Sequence, residues 1–355
     1  MVKAKRELYR VEGMSKVFAD RYVFNDISFS IYDGEIFGLI GGSGSGKTTF
    51  LNLLVGFIKP DKGKILFQDM HLLDSDKAEA FISIYKRRDQ LKPLYGFATQ
   101  NPSFYPNLTV KENLLYFASL YDISNTSAKA NAESILELVD LTQAQHKLAR
   151  QLSGGMQRRL DIACALIHDP KILILDEPTS DLDPVLSNKI WNLIRVINQQ
   201  GTTIIIASHD LGELENICTR VAIIKEGKLA AIGKPGELKA KTVSQRIFIK
   251  LEPGNYKTIS AELKKLGKTI TQKIIATQIT TEGLYIHTKT PEEIMPSLLE
   301  IIKAQNEKLL NVEFIKPNLT HVFAEITKGH NPEPITDEKK KHKKKHHNHK
   351  KRHKK

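Results

Sequence analysis

Short runs of consecutive apolar residues recur along the chain, and segments with a different spacing follow them. The runs at Ile36–Ile40, 171–176 and 202–208 have the length and the β-branched content of buried strands. Apolar positions three and four residues apart follow at 47–55 and Pro184–Gln199, which is the spacing of one helix face. Strands that alternate with helices predict a parallel sheet covered on both faces, which is an α/β fold.

The segment before this pattern is of another kind. Residues 7–37 consist of short strand-like runs separated by turn residues, which predicts an antiparallel β subdomain. Asp33 and Gly34 lie between two of these runs, and an Asp-Gly pair in that position predicts a hairpin turn.

Helical spacing dominates the region between the two α/β blocks. It covers residues 107–150 and 153–168, and Thr109 with Glu112 three positions later predicts a capping box at a helix start. We therefore predict a helical subdomain, at about residues 101–168, inserted into the α/β core.

The pattern starts again after Gly236. It predicts strands at 246–251, 269–276, 283–288 and 311–315, and helices at 255–266, 291–305 and 317–327. The order β-α-β-β-α-β is that of a ferredoxin-like, split βαβ domain. The predicted organisation is an α/β domain over 1–240, a small C-terminal α+β domain over 241–327, and a linker and tail over 328–355.

The charge of the chain is concentrated in that tail. The formal net charge is +13, but residues 339–355 hold eleven Lys and Arg, five His and no acidic residue, which leaves 42 basic against 40 acidic residues elsewhere. A nearly neutral body excludes a basic domain that reads nucleic acid. We expect the tail to be disordered, with an anionic membrane surface as one possible contact and no specific nucleic acid as partner.

Two further observations concern the compartment. No apolar run approaches the roughly 20 residues that span a bilayer, and the N-terminus lacks the apolar core of a secretory signal. Cys164 and Cys218 both lie in apolar periodic segments, which predicts buried thiols in a reducing compartment. We expect a cytoplasmic chain.

A glycine-rich stretch supplies the first candidate chemistry. It fits G-x-x-x-x-G-K-[ST] between a predicted strand and a predicted helix, in the row Gly41, Gly42, Ser43, Gly44, Ser45, Gly46, Lys47, Thr48 and Thr49. Backbone N–H groups of such a loop, the helix N-terminus and the Lys47 ammonium bind phosphate oxygens, and the Thr48 hydroxyl is placed to bind Mg²⁺. The competing interpretation is a flexible turn before an ordinary helix.

Two acidic residues follow the apolar strand at 172–175. The carboxyl ends of parallel strands carry the ligand sites of α/β sheets, so Asp176 is predicted to hold Mg²⁺ through water and Glu177 to polarise an attacking water. The alternative is an Asp-Glu turn ended by Pro178.

Between these two motifs lies Leu-Ser-Gly-Gly-Met-Gln-Arg-Arg at residues 152–159, which resembles the signature motif of ATP-binding-cassette (ABC) ATPases. The resemblance implies that this segment clamps the γ-phosphate of an ATP held by a partner subunit, through Ser153, Gly154, Gly155, Met156 and Gln157. Met156 stands where glutamine is commonest in the family, and this form of the motif is similar to that of export-type members.

Further positions match the family one by one. Gln100 resembles the Q-loop glutamine that touches Mg²⁺ and senses the transport partner, and residues 180–183 resemble the D-loop, which places Asp183 near ATP. Asp181 departs from the usual Ala or Gly there. His209 resembles the switch histidine that contacts the γ-phosphate.

An aromatic residue is expected on the adenine ring. Phe18 falls where the family stacks one, with Tyr22 as the alternative and a strand-face role nearly as well supported. Residues 317–323 resemble the closing motif of the C-terminal domain in drug- and polysaccharide-exporter ATPases.

The resemblance implies an ATP-hydrolysing subunit. Two copies would dimerise head to tail around two Mg-ATP, with Glu177, His209, Lys47 and Gln100 as the catalytic residues, and would drive a separate membrane permease, for export, from the cytoplasmic face of the membrane. An alternative is a soluble ABC ATPase that acts on ribosomes or nucleic acid through its tail. A third is a regulatory module that binds ATP without turnover, against which Glu177 and His209 argue.

Overall fold

The computed structural model describes residues 6–68, 81–242, 245–266, 271–315 and 318–327. It divides into two compact units, one within Met1–Pro235 and the other within Gly236–Pro332. The predicted linker and basic tail, residues 328–355, lie outside the described residues. No helix in the described ranges is long and apolar enough to cross a membrane.

The first unit, here called the cassette, contains two sheets. Its strands are β1 (Glu7–Phe18), β2 (Arg21–Tyr32), β3 (Ile36–Ile40), β4 (Lys62–Gln68), β5 (Phe81–Ser83), β6 (Tyr95–Ala98), β7 (Ile172–Asp176), β8 (Thr203–Ser208), β9 (Arg220–Lys225) and β10 (Lys228–Gly233). One sheet has the order β10-β9-β3-β8-β7-β6 and is parallel except for β10, and the other is antiparallel with the order β2-β1-β4-β5. The predicted α/β class, with a parallel core and an antiparallel β subdomain, is confirmed.

Helices cover and connect these sheets. They are α1 (Lys47–Leu54), α2 (Arg88–Leu91), α3 (Val110–Ser119), α4 (Asn125–Leu138), α5 (Gly154–Leu166), α6 (Pro184–Gln199) and α7 (Leu211–Ile217). Helix α8 (Pro235–Thr242) begins at the boundary between the two units. Helices α3, α4 and α5 pack against one another in the region of the predicted helical subdomain. The predicted capping box is present, since Thr109 Oγ1 accepts from Glu112 N and Glu112 Oε2 accepts from Thr109 N.

The predicted hairpin turn at Asp33 and Gly34 is wrong. This turn carries the chain from β2 in the antiparallel sheet to β3 in the parallel sheet, so its two strands do not pair. The hairpin lies one connection earlier, between β1 and β2, at Ala19 and Asp20. Both have positive φ, +45° and +61°, the backbone that two-residue hairpin turns require.

The cassette core fixes the start of α1. Helix α1 contributes Phe50, Leu51, Leu53 and Leu54 to a cluster that also contains residues of both sheets. The Phe50 ring lies 6.0 Å from Phe24 and 5.4 Å from Phe29, centroid to centroid. Because tightly packed side chains allow little displacement, the loop that precedes α1 is held in one place relative to both sheets.

The second unit is a separate α+β domain. It contains β11 (Gln245–Glu252), α9 (Tyr256–Lys265), β12 (Ile274–Ile279), β13 (Leu284–Thr288), α10 (Pro291–Ala304), β14 (Lys308–Ile315) and α11 (Leu319–Thr327). Its sheet is antiparallel with the order β12-β13-β11-β14. Its core is aliphatic, with Ile247, Ile249, Leu284 and Ile286 of the sheet packed with residues of α9 and α10.

Candidate active site

The glycine-rich loop lies between β3 and α1, and residues 41–49 are called the nest below. Gly46 has φ +93°, and a Cβ there would lie 2.4 Å from Val23 Cγ1, so only glycine fits. Around Gly42 and Gly44 a Cβ would meet nothing within 4 Å. No side chain caps α1, so no side chain accepts from its first N–H groups, the arrangement in which helix N-termini bind phosphate.

Lys47 folds back over the nest. Its ammonium donates to Gly41 O at 3.0 Å and to Gly42 O at 3.4 Å, and Nζ lies 3.5 Å from Glu177 Oε1. The side chain is only 9% exposed. A positive charge is therefore held at the mouth of the loop, beside the carboxylate proposed to act on water.

Thr48 and Asp176 bring two hard oxygen ligands together. The Thr48 hydroxyl donates to Asp176 Oδ2 at 2.6 Å, although the residues are 128 positions apart. Burial raises the pKa of Asp176, while the Thr48 hydrogen bond and the nearby Lys47 charge act in the opposite direction. The described residues include no cluster of three or more His, Cys, Asp or Glu that could hold a metal ion. One carboxylate and one hydroxyl next to a phosphate nest fit Mg²⁺, which protein sites bind with few side chains and the substrate's phosphates.

Glu177 lies between the nest and the next strand. Its backbone has φ +48° and its N–H donates to Ala207 O at 2.8 Å, which aligns it with β8. Its Oε2 lies 2.8 Å from His209 Nδ1, and the His209 side chain is 66% exposed. The carboxylate is thus fixed between Lys47 and His209, an arrangement able to orient and polarise a water molecule.

The signature segment forms the exposed start of α5. Ser153 caps this helix by accepting from Met156 N at 3.4 Å, and Gln157 Nε2 donates to Leu152 O. Gly155 is buried against Leu186, whose methyl groups a Cβ would approach to 3.1 Å. No hydrogen bond among the described residues joins this helix start to the nest, and its contact with ATP stays a prediction.

The remaining predicted residues are placed less tightly. Gln100 is exposed just after β6. Asp183 is the N-cap of α6 and accepts from Val185 N and Leu186 N, and its contact with ATP stays a prediction. Phe18 is 46% exposed, and an adenine contact for its ring stays a prediction.

Arg158 received no predicted role from its sequence pattern, yet it is among the buried charged residues of the cassette at 8% exposure. The available signal was a pair of opposite charges, Arg158 and Asp161, three positions apart on the otherwise apolar side of α5. Charged side chains at buried helix positions are rare unless they are paired.

Comparison with known proteins agrees with this geometry. A sequence profile of the ABC transporter family matches residues 24–180. The linearmycin resistance ATP-binding protein LnrL of Bacillus subtilis is 30% identical over 320 residues, which cover 90% of this chain and 98% of that protein. The Nod factor export ATP-binding protein I of Bradyrhizobium diazoefficiens is 32% identical over 315 residues, 89% and 94% of the two chains.

Solved structures show the same fold. CbiO1 of Clostridium perfringens, part of the ABC transporter complex cbiONQ, has a TM-score of 0.59 at 26% identity and covers 76% of this chain and 98% of its own. A dimeric ATP-binding cassette in a post-hydrolysis state, bound to ADP and phosphate, has a TM-score of 0.55 at 26% identity, with 64% and 98% covered. The resemblance inferred from the motifs is thereby confirmed: the chain belongs to the ATP-binding proteins of ABC transporters, and it is an ATPase.

Proposed function

We propose that two copies of the chain bind two ATP molecules head to tail, each ATP lying between the nest of one copy and residues 153–157 of the other. The support is that exposed glycine and serine residues lie at or just before the starts of α1 and α5, and that no hydrogen bond among the described residues joins the two segments within one chain. The uncapped start of α1 and the exposed start of α5 are each built to meet negative charge, and a second copy brings one of each kind together.

The observation that carries the proposed reaction is a set of contacts around the nest. The Thr48 hydroxyl contacts Asp176, and the Glu177 carboxylate lies between Lys47 and His209 and contacts both. The nest and Lys47 hold and neutralise the phosphates, Glu177 orients the attacking water, and His209 maintains the position of the Glu177 carboxylate at the γ-phosphate. Thr48 and Asp176 would hold Mg²⁺, with Gln100 as a further candidate ligand. When bound, the ion supplies charge neutralisation for phosphoryl transfer.

The test is replacement of Glu177 by glutamine, which keeps the shape and removes the base. We expect hydrolysis to fall about 10²–10⁴-fold while ATP and Mg²⁺ produce a dimer that persists in size-exclusion chromatography. A Glu177→Gln chain that hydrolyses ATP at the parental rate contradicts the role of Glu177. A chain that stays monomeric with ATP contradicts the shared sites.

We infer that the transport driven by this subunit is export. The relatives named for resistance to linearmycin and for Nod factor export align with both units of this chain, not with the cassette alone. Cargo accumulation in inside-out membrane vesicles that contain the permease tests the direction. Loss of preloaded cargo from such vesicles on addition of ATP would contradict export.

A cavity in the cassette is a candidate site for the permease. Its volume is about 120 Å³, and its charged lining residues among those described, Arg88 and Lys92, are both cationic. Phe57 beside it is 56% exposed, with the Arg88 guanidinium 5.3 Å from its ring centre. An aromatic wall with two cations fits a permease segment that presents an apolar residue and an acidic one.

Two aromatic residues that follow Gln100 in the chain, Phe104 and Tyr105, differ in exposure. Tyr105 is 47% exposed and remains available to the permease, while Phe104 is 8% exposed and belongs to the core.

Substitution of Arg88 tests the cavity as the permease site. We expect Arg88→Glu to abolish co-purification of the permease and to leave the ATPase rate of the isolated subunit unchanged. Equal recovery of the permease with the parental and the Arg88→Glu chain would exclude this cavity.

The basic residues 339–355 are proposed to bind the anionic cytoplasmic leaflet, since each Lys or Arg adds up to about 1 kcal/mol there. Full-length chain should sediment with vesicles that contain phosphatidylserine and be released by salt, unlike a chain that ends at Glu338. Sedimentation with neutral vesicles to the same extent would contradict an electrostatic contact.

A further inference from the structure

One buried guanidinium inside α5 holds the backbone on both sides of Glu177. Arg158 Nη2 donates to Asp176 O at 2.8 Å, and its Nε donates to Pro178 O at 2.9 Å. These two carbonyls belong to the residues immediately before and after Glu177. The planar fork of an arginine can bind two acceptors in fixed directions, so Arg158 determines where the backbone of Glu177 lies.

The same side chain also reaches the segment around Gln100. Arg158 Nη1 donates to Thr99 O at 2.7 Å and to Asp161 Oδ2 at 3.2 Å. Asp161 Oδ1 in turn accepts from the backbone N–H and the hydroxyl of Ser103, at 2.9 and 2.8 Å. The ion pair on α5 therefore holds the chain on both sides of Gln100 as well.

Glu177 depends on such support. It is a non-glycine residue with φ +48°, a left-handed conformation that persists only where surrounding contacts outweigh its cost. Its own N–H donates to Ala207 O, and its carbonyl accepts from the N–H and the hydroxyl of Ser180. Arg158 adds the two hydrogen bonds to the carbonyls on either side. These last two come from α5, whose exposed first turn carries Ser153.

We propose that Arg158 is a positioning residue that couples the signature helix to hydrolysis in its own chain. A shift of the Ser153 end of α5 on contact with the partner's ATP moves the guanidinium, and with it Glu177 and the segment at Gln100. Water activation at one ATP then depends on whether the other site is closed. The inference rests on the proposed function, because it uses the roles given there to Glu177 and to the start of α5.

The first test is Arg158→Lys, which keeps the positive charge beside Asp161 and removes the fork that spans three carbonyls. A displacement of about 1 Å at a reacting group can cost about 10²-fold in rate, so we expect kcat to fall about 10²-fold. Because the nest is untouched, the Kd for ATP of the monomeric chain should stay within about twofold of the parental value, and the steepness of the rate against ATP concentration should decrease.

Arg159 provides a matched control on the same helix. Its guanidinium donates to Val139 O and to Asp140, at the end of α4, and touches neither Glu177 nor the segment at Gln100. Arg159→Lys should therefore leave kcat unchanged. An equal loss in Arg158→Lys and Arg159→Lys would show that α5 is only generally sensitive to substitution and would overturn the proposal.

A double-mutant cycle shows whether Arg158 acts through Glu177. Adding Arg158→Lys to Glu177→Gln should lower the residual rate no further, because the group being positioned is already gone. Losses that multiply overturn the proposal, as does an unchanged kcat in Arg158→Lys alone. If Glu177→Gln itself keeps the parental rate, the proposed function fails instead, so the two failures can be told apart.

A second variant guards against loss of folding. Asp161→Asn keeps the shape and the acceptor for Ser103 and removes the charge that orients Arg158. We expect a kcat about 10-fold lower, between the values of Arg159→Lys and Arg158→Lys, in a chain that circular dichroism shows to be folded at the assay temperature. If Arg158→Lys does not fold, a parental kcat in Asp161→Asn overturns the proposal.

Discussion

The two units of the chain differ in what they bury. In the described part of the cassette, seven Asp, Glu, Lys or Arg residues are at most 9% exposed, and they are Glu35, Lys47, Arg158, Asp161, Asp176, Glu177 and Arg220. The described part of the second unit has one, Glu307, which accepts from Gly254 N and Asn255 N and so stabilises a turn. Burial of charge is unfavourable unless it is compensated, so its concentration in the cassette marks where the fold serves chemistry.

Not every buried charge in the cassette belongs to the site. Arg220 Nη1 lies 3.1 Å from Glu35 Oε1, and this pair ties the start of β3 to β9 at the end of the sheet opposite the nest. The other five lie in or directly behind the nest and Asp176. Conservative substitutions of these five residues should therefore disturb function, whereas the second unit should respond only to loss of packing.

The largest of three expected effects is in the cassette, at Thr48 and Asp176, which are proposed to hold Mg²⁺. Thr48→Val keeps the volume of the side chain and removes the hydroxyl that bonds to Asp176. We expect the Mg²⁺ concentration for half-maximal ATPase activity to rise by at least the ~10–100-fold that loss of a supporting group costs a metal site. Thr48→Ser is the control and should remain near the parental value. An unchanged Mg²⁺ requirement in Thr48→Val would remove Thr48 from the metal site.

A smaller effect, on stability alone, is expected in the second unit. Ile249 is 0% exposed in its aliphatic core, so Ile249→Ala should lower the free energy of unfolding of that unit by about 2–5 kcal/mol. The single tryptophan, Trp191, lies in α6 of the cassette, so its fluorescence should melt as in the parental chain while circular dichroism shows an earlier transition.

The control for this substitution is Ile275→Ala, since Ile275 is 57% exposed on the same sheet. It should change neither signal. Loss of ATPase activity in Ile249→Ala at a temperature where the circular dichroism is still native would show that the second unit takes part in hydrolysis.

The smallest effect concerns His168, a titratable residue of the cassette to which no role in the candidate active site is assigned. His168 Nε2 donates to Tyr95 O at 2.9 Å, its Nδ1 is buried without a partner, and burial lowers the pKa of the ring. The folded state therefore prefers neutral His168, and its contribution to stability is present above the unfolded pKa of about 6.5 and lost as the pH falls below it.

Urea unfolding at pH 7.5 and pH 5.5 measures this contribution. His168→Gln can still donate to Tyr95 O and cannot be charged, so it should lose less stability between the two pH values than the parental chain. We expect a difference below about 1.4 kcal/mol, the equivalent of one pKa unit. A larger loss in the variant than in the parental chain would show that His168 is not held neutral.

The sequence predicted the features of the fold and the site that depend on residues close together in the chain. The nest, the capping box at Thr109 and Glu112, and the helix at Pro184–Gln199 are local patterns, and the structure contains them at those positions. The turn at Asp33 and Gly34 was assigned wrongly because the residues of a turn do not indicate which sheet the next strand joins.

The contacts of Arg158 could not be predicted from the sequence for a similar reason. Its acceptors Asp176 O and Thr99 O lie 18 and 59 positions away, on two other elements. Backbone carbonyls carry no side-chain signature, so a hydrogen bond to them is visible only once the strands and α5 are placed in space. The sequence motif at residues 152–159 was recognised, but the hydrogen bonds of Arg158, which point into the protein, were not predicted.

The central claim is that each ATP is hydrolysed between the nest of one chain and the signature helix end of another. A mixture of Lys47→Ala chains and Ser153→Arg chains tests it most directly, because each variant alone has two defective sites while a mixed dimer has one site made of two intact halves. We measure dimer formation here and not hydrolysis, because Arg158 of the chain with the intact nest faces the defective site. We predict that ATP and Mg²⁺ produce a dimer in size-exclusion chromatography of the mixture and not of either variant alone. A mixture that forms no more dimer than the separate variants would contradict the shared site.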